Sequence, residues 1–510
     1  MKKWVGNKNS TMNDFCLICN GEKYYCSKDL ILQHSETIYN LNEKQTIQSF
    51  NLKCDEPVYF DEIAKLYSIG ELDIVKTNYK FLQTVGEQLN DKLIIDGVNQ
   101  FIKLSNEHEN VFRNSNDIKE LKFIEDLVNN LTEQDIETTR KKYLGSLLYL
   151  TKSHIYIFLH SIFSACISNP SKIPTYIDFI SSLVEYKEET NKIGDLIGYF
   201  LHIICKFYNK KNHLDEINYI LFNLNNKNMI DKKDINNHDV EKMMTDFYNS
   251  FNINSKFMEF DFISSILKDD DVEKLKYNLN NENIFINSTI ENSFLFPSSI
   301  INNDTKIIQL CAFFGSLKCF ELLYQMNTEI DESIITYAIF GGNIKIIKIL
   351  KVKFDLKPYL EIAAIYHRNE IFFEIYYPDQ ECFKQFYSIA SKCIRYANYS
   401  LFEFVVKEGL NINGFENSGL ILYNAIKCNN LLITRILLSF SYINVNILVK
   451  NNSYLYYAIS NENVEIVKAL LSRNEININL KNNKGVYLFL LKLLYIWYVK
   501  KEMLKYLNCL

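Results

Sequence analysis

The chain has 510 residues, is 47% hydrophobic and 14% aromatic, and carries a formal net charge of −5 with a pI near 6.0. That much apolar surface excludes a disordered chain and allows several packed domains. The net charge, with Arg140-Lys141-Lys142 as the longest basic run, excludes a nucleic-acid footprint built on phosphate contacts. Only six Pro occur, which favours long helical stretches over a turn-dense all-β fold. Two apolar runs, Ile155–Ile167 and Val486–Val499, contain His160 and Lys492 and fall short of the ~20 residues a bilayer needs. Each reads as a buried helix rather than a membrane span. Met1-Lys2-Lys3 is not followed by an apolar core, so no secretory signal is read. Cys509 is the penultimate residue and does not form a prenylation box. The twelve Cys are scattered, mostly inside apolar periodic segments. They read as small buried hydrophobes of a reducing compartment, and the expected location is cytoplasmic, with the nucleus also open.

Residues 13–97 mix strands and helices. Asp14–Asn20 and Lys23–Cys26 flank the turn pair Asn20-Gly21 and predict a hairpin. A helix is expected over Lys28–Ser35, a strand over Gln48–Lys53, and helices over Tyr59–Tyr67 and Tyr79–Leu89. Residues 98–255 read as helical throughout. Asp117 and Glu120 suggest a capping box ahead of an apolar face of Leu121, Ile124, Leu127, Val128 and Leu131. Thr132 and Asp135 open the next helix in the same way. Further helices are expected at Tyr176–Tyr186, Ile193–Phe207, Leu214–Leu224 and Val240–Phe251.

Residues 258–483 repeat. The segments Phe262–Leu279, Ile308–Leu323, Ile335–Leu350, Leu360–Ile375, Ser391–Val406, Leu422–Leu437 and Leu455–Leu470 share one pattern. A short helix with a small residue leads through a tight turn into a second, amphipathic helix. The small residues Ala312, Ala338, Ala363, Ala425 and Ala458 allow close helix packing. Gly315 and Gly342, with Asn430 and Asn461 in similar places, are expected to supply left-handed turn positions. Paired apolar residues such as Leu322–Leu323 and Ile349–Leu350 should fill the seams between units. Residues 486–510 depart from the repeat and are expected to be a C-terminal apolar cap or a damaged unit.

Candidate sites each have a plain structural alternative. Cys16-x-x-Cys19, with Cys26 and Cys54 nearby, suggests zinc or redox chemistry, but residues three apart on a strand face opposite ways. Of the eight His, none forms a His-x-x-x-His pair. Asp269-Asp270-Asp271 precedes a helix, where carboxylates serve as caps. Gly341-Gly342 lacks the strand and Gly-Lys-Ser/Thr ending of a phosphate loop. No catalytic, cofactor-binding or metal-binding residue is assigned, and no cofactor is expected.

The third zone resembles the ankyrin family. Ala458, Asn463, Glu465, Ile466, Val467, Leu470, Leu471 and Ile476-Asn477-Ile478-Asn479 match its consensus best, and Glu408-Gly409-Leu410-Asn411-Ile412-Asn413 resembles the loop after a unit's second helix. Ala425 to Ala458 has the family's spacing of about 33 residues, and the spacings around Ala338 are shorter. The segment Ile308–Ala364 is similar to a short-unit ankyrin-like domain of protist proteins. The first zone resembles a BTB/POZ domain through Asp14-Phe15-Cys16-Leu17-Ile18, Gly21, Tyr24, Lys28, Leu30-Ile31-Leu32 and Ser35, and through Phe60, Ile63, Leu66-Tyr67, Gly70, Leu72 and Ile74. These resemblances imply a mainly α protein: an N-terminal α/β domain, a helical linker region and an ankyrin-type solenoid. They imply a non-catalytic adaptor or scaffold that binds a protein partner, with a cullin-type ubiquitin ligase as a second partner through the first domain. An enzyme with its site around His154, His160 and His202 is the rival reading from another class. Ser27 and Glu36 stand where the BTB family has His and Pro, and few residues precede Asp14, so a monomeric or weakly associating domain is expected.

Overall fold

The computed structural model describes residues 14–480 apart from 20–21, 54–62, 64–65, 68–71, 73, 147, 149–150, 191–195, 209–212, 231–239, 246–257, 282–288, 291–299, 302–303, 378–379, 411 and 414–420. The readings for 486–510 lie outside these residues, as do most of Tyr59–Tyr67 and half of Val240–Phe251. The chain forms two compact units. One gathers Met1–Asn114 with Pro378–Lys384 and Phe404–Asn411, and the other takes the remainder.

In the first unit, strands β1 (Phe15–Cys19), β2 (Glu22–Cys26) and β3 (Ser49–Leu52) form a sheet of order β2-β1-β3. β1 runs antiparallel to β2, with Phe15 opposite Cys26, and parallel to β3, with Cys16 beside Ser49. A parallel neighbour needs a crossover, supplied by α1 (Lys28–His34) and α2 (Glu36–Lys44). Ser35 joins the two helices. Its hydroxyl accepts from Ile38 N and donates to Leu89 O at 2.6 Å. Helices α3 (Tyr79–Leu89) and α4 (Lys92–Asn114) follow. Phe15, Leu17, Ile31, Ile38, Leu82, Val85, Leu89 and Ile94 form the core, each 0% exposed. Asp91 caps α4 by accepting from Leu93 N and Ile94 N, and the buried Tyr67 hydroxyl donates to its other oxygen. Cys16 and Cys26 carry free thiols, whereas Cys19, expected as an unpaired buried cysteine, is disulfide-bonded.

The second unit opens with α5 (Asn116–Asn129), α6 (Ile136–Gly145), α7 (Lys152–Ser168), α8 (Ile173–Thr190), α9 (Leu196–Tyr208) and α10 (Leu214–Asn226). The cap of α5 is Ser115, whose side chain accepts from Ile118 N at 3.3 Å. Asp117, read as the capping residue, lies inside the first turn because the backbone leaves the extended region two residues earlier. Thr132 does donate to Asp135 at 2.7 Å, across a 3-10 turn that precedes α6. The run Ile155–Ile167 is a buried helix as expected, with both faces of α7 covered.

The repeat follows as helix pairs: α11 (Met258–Lys268) and α12 (Val272–Asn280), α13 (Ile307–Phe314) and α14 (Leu317–Gln325), α15 (Ile334–Gly341) and α16 (Ile344–Lys351), α17 (Leu360–Ile365) and α18 (Asn369–Ile375), α19 (Gln380–Arg395) and α20 (Tyr399–Lys407), α21 (Ile421–Lys427) and α22 (Leu431–Leu438), α23 (Tyr454–Ser460) and α24 (Val464–Leu471). Odd-numbered helices pack on odd ones, α13 on α15 and α21 on α23, and even on even, α14 on α16 and α22 on α24. Ala312, Ala338, Ala363, Ala425 and Ala458 are each 0% exposed, as the packing reading requires. Leu323, Leu350, Leu437 and Leu470 close the seams at 0%. A short finger of β4 (Leu448–Val449) and β5 (Asn452–Ser453) precedes α23.

Candidate interaction surface

Each helix pair turns through one left-handed residue, in succession Asp270, Gly315, Gly342, His367, Ala397, Asn429 and Glu462. The two glycines stand where the sequence puts them. Asn430 and Asn461 do not. Both have negative φ, and the left-handed residues are their neighbours Asn429 and Glu462. Asn430 instead caps α22 by accepting from Ile433 N at 3.0 Å. Asn461 reaches back to the preceding turn and donates to Ile426 O. In earlier units the residue after the left-handed position makes a similar link: Asn343 to Gly315 O, Arg368 to Phe340 O and Asn398 to Ala364 O. Asp270 adds a link of opposite polarity, its carboxylate accepting from Lys318 N and Cys319 N at the start of α14. Asp271, as expected of the acidic run, caps α12. On the finger side a second ladder runs through asparagines. Asn413 donates to Tyr442 O and accepts from Asn444 N, while Asn446 donates to Glu475 O and accepts from Asn477 N. Every unit is thereby registered on its neighbour by side-chain bonds to backbone groups that would otherwise be orphaned.

The helices before the array cover one side of its later units. α7 lies along the turns. Ser168 bonds Ile365 O, Ser161 meets the Tyr399 hydroxyl, and Ser153 bonds Glu465 and Asn463. α5 lies over the even helices. Asp117 pairs with Arg435 at 3.0 Å, Lys122 with Glu403, and Glu125 accepts from Ser400 N and Oγ at 2.9 and 2.8 Å. Burial pushes the Glu125 carboxyl up to about 7. The sequence records this cover. α22 reads LLITRILL and buries every residue except Arg435, whereas α16, without such cover among the described residues, reads IKIIKILK and exposes Lys345 and Lys348.

Among the described residues, the tyrosines on the odd helices of the last two units are not sealed in this way. The Tyr423 and Tyr457 rings meet at 4.8 Å and 69°, and the Tyr456 and Tyr457 rings at 5.6 Å and 84°. Tyr456 and Tyr457 are half-buried. The Tyr457 hydroxyl donates to Val449 O on the finger, fixing the ring, and Lys427 Nζ donates to the Tyr423 hydroxyl and lies 5.3 Å from its ring. Lys427 and Lys450, at the finger tip, are exposed, and Lys392 is partly so. Asn424 ties this face to α19 through Ser391 Oγ at 2.9 Å.

The residues weighed for chemistry go elsewhere. His154 bridges Thr151 and Glu120, its Nε2 3.2 Å from the carboxylate. His160 is buried beside Phe207, and burial lowers its pKa to about 4, so it stays neutral near neutral pH. His202 is exposed on α9. Lys206, Arg395 and Lys427 occupy the last turns of α9, α19 and α21, where cations offset the negative helix ends. Gly341 belongs to α15 and Gly342 ends it, so the pair forms an inter-helix turn. Among the described residues, no group of three or more His, Cys, Asp or Glu is placed to hold a metal ion, and no helix is long and apolar enough to cross a membrane.

Residues 389–482 match the ankyrin-repeat family model in three copies. The match spans α19 to α24, including the asparagine ladder and the tyrosine face. Ankyrin repeats indicate a protein–protein interaction module. No curated protein matches the chain.

Proposed function

We propose that this protein is a non-catalytic adaptor that holds a protein partner on the odd-helix face of its ankyrin-type solenoid. One observation carries the reading: α5 and α7 occupy the even-helix side and the turns of the later units, while Tyr456 and Tyr457 stay half-open on the other side. Tyrosines held rigid by neighbouring rings are the residue type that dominates interface energies. Photo-crosslinking tests it. A benzophenone amino acid at position 457, in the native cell, is expected to capture a discrete partner, and one at position 345 on α16 is not. Capture at 345 alone, or at neither position, would count against the proposal.

A second reading concerns the first unit, which we infer to be a BTB-type docking domain able to recruit a cullin-type ligase. The support is its strand–strand–helix–helix–strand order with β3 parallel to β1. Co-purification of a cullin with the full chain, lost on removal of residues 1–97, is the expected result. A cullin retained after that removal would sink the reading.

A further inference from the structure

The helices and finger of the tyrosine face carry lysines and no carboxylate. The protein as a whole is acidic, with 61 Asp and Glu against 56 Lys and Arg. Yet α21, α23, residues 385–395 of α19 and residues 442–453 of the finger contain no Asp or Glu at all. The same segments carry Lys427 against the Tyr423 ring, Lys450 next to the Val449 carbonyl that holds Tyr457, and Lys392 next to the Ser391 that bonds Asn424. Carboxylates are present on even helices of the same units, at Glu403 and Glu465. Charge of one sign next to rigid aromatic rings selects an anionic ligand with apolar contact points. Lys427 and Tyr423 already show the geometry, an ammonium bonded to a phenol and stacked near its ring, that leaves the remaining ammonium protons for a carboxylate.

Resting on the adaptor reading above, we infer that this face binds an acidic segment of the partner protein, one with Asp or Glu residues interleaved with aromatic or aliphatic side chains. The acidic side chains meet Lys392, Lys427 and Lys450, and the apolar ones pack on Tyr456 and Tyr457. Three lysines supply few phosphate contacts, so the observations favour a peptide over a nucleic acid, which would need a longer cationic track.

The experiment is selection from a random displayed-peptide library on the full chain, followed by anisotropy measurements with the enriched peptides. Enrichment in Asp and Glu is expected. Binding should weaken at least about tenfold in the Lys392→Glu, Lys427→Glu, Lys450→Glu triple variant, and should fall as salt is raised. Circular dichroism melting of the variant checks that it is folded, and the three Lys→Gln changes give a milder version should the reversal disturb folding. Neutral or basic peptides lost on Tyr456→Ala with Tyr457→Ala would overturn the acidic segment and leave the adaptor reading standing. No enrichment at all would overturn both. Acidic peptides indifferent to the lysine changes, or single-stranded RNA bound as tightly as the peptides, would also overturn the inference.

Discussion

Gly341→Ala reverses the sign that helix propensity alone predicts. Gly341 is the last residue of α15 and has no left-handed φ, so in isolation alanine there should stabilise by up to ~1 kcal/mol. In the fold a Cβ at this position would lie 2.0 Å from Ala312 O and 2.9 Å from Phe313 O. Real Cβ contacts essentially never fall under 3.0 Å, so α13 and α15 must part by at least the difference, 3.0 − 2.0 = 1.0 Å. That shift also disturbs the Phe313–Phe340 stack, now at 4.5 Å and 5°. Both obstructing atoms are backbone and do not rotate aside. Overpacking of this kind costs up to ~3 kcal/mol, which outweighs the propensity gain and leaves a net loss of about 2 kcal/mol. Amide exchange in residues 307–351 reads it locally, and about 2 kcal/mol corresponds to exchange roughly 30-fold faster. Gly145 at the end of α6 is the control, because a Cβ there meets nothing within 4 Å. Gly145→Ala should leave protection unchanged or raise it. Protection raised by Gly341→Ala would refute the close approach of α13 and α15.

Two further outcomes follow from the polar interior. His160, His213 and His367 each have a pKa lowered to about 4, with burial the largest cause. A depressed histidine favours folding above its unfolded pKa of about 6.5, and that contribution is lost as the pH falls toward 4, amounting to about 3 kcal/mol for the fully buried His160. Glu125 acts in the other direction. Raised to about 7, it favours folding below about 4.5 and loses that contribution as the pH rises through 7. Melting temperature should therefore fall from pH 6.5 to pH 4, and fall more steeply in Glu125→Gln; a flat profile in either protein contradicts the burial. Asn446→Ala removes both a donor to Glu475 O and an acceptor for Asn477 N, with an expected cost of about 1–2 kcal/mol. Faster exchange confined to residues 444–480 checks it, and unchanged exchange there would show the ladder to be dispensable.

The repeat was legible because its residues act at close range. Ala312, Ala338 and Ala458 recur at positions that only a small side chain fits, and Gly315 and Gly342 stand where φ is positive. The mostly apolar run of α7 announced a helix buried on all sides. What covers it was not legible, since its partners, Ile365, Tyr399 and Asn463, lie far along the chain and in different units. The left-handed turn positions were misplaced by one residue at Asn430 and Asn461, because asparagine suits both a left-handed turn and a helix cap and only the backbone decides between them. The tyrosine face was hidden by its own composition. Tyrosine is the residue type of cores as well as of interfaces, and only exposure separates Tyr456 from a fully buried ring such as Tyr454.

The binding face is tested most directly by the affinity of the partner captured at position 457 for three forms of the full chain. The unmodified protein, Tyr456→Ala with Tyr457→Ala, and Lys345→Glu with Lys348→Glu on the even-helix face of α16 would be titrated side by side. A loss of at least about 2 kcal/mol is expected for the tyrosine pair and no measurable change for the lysine pair. Equal affinity for the tyrosine variant, or a loss confined to the α16 variant, would contradict it.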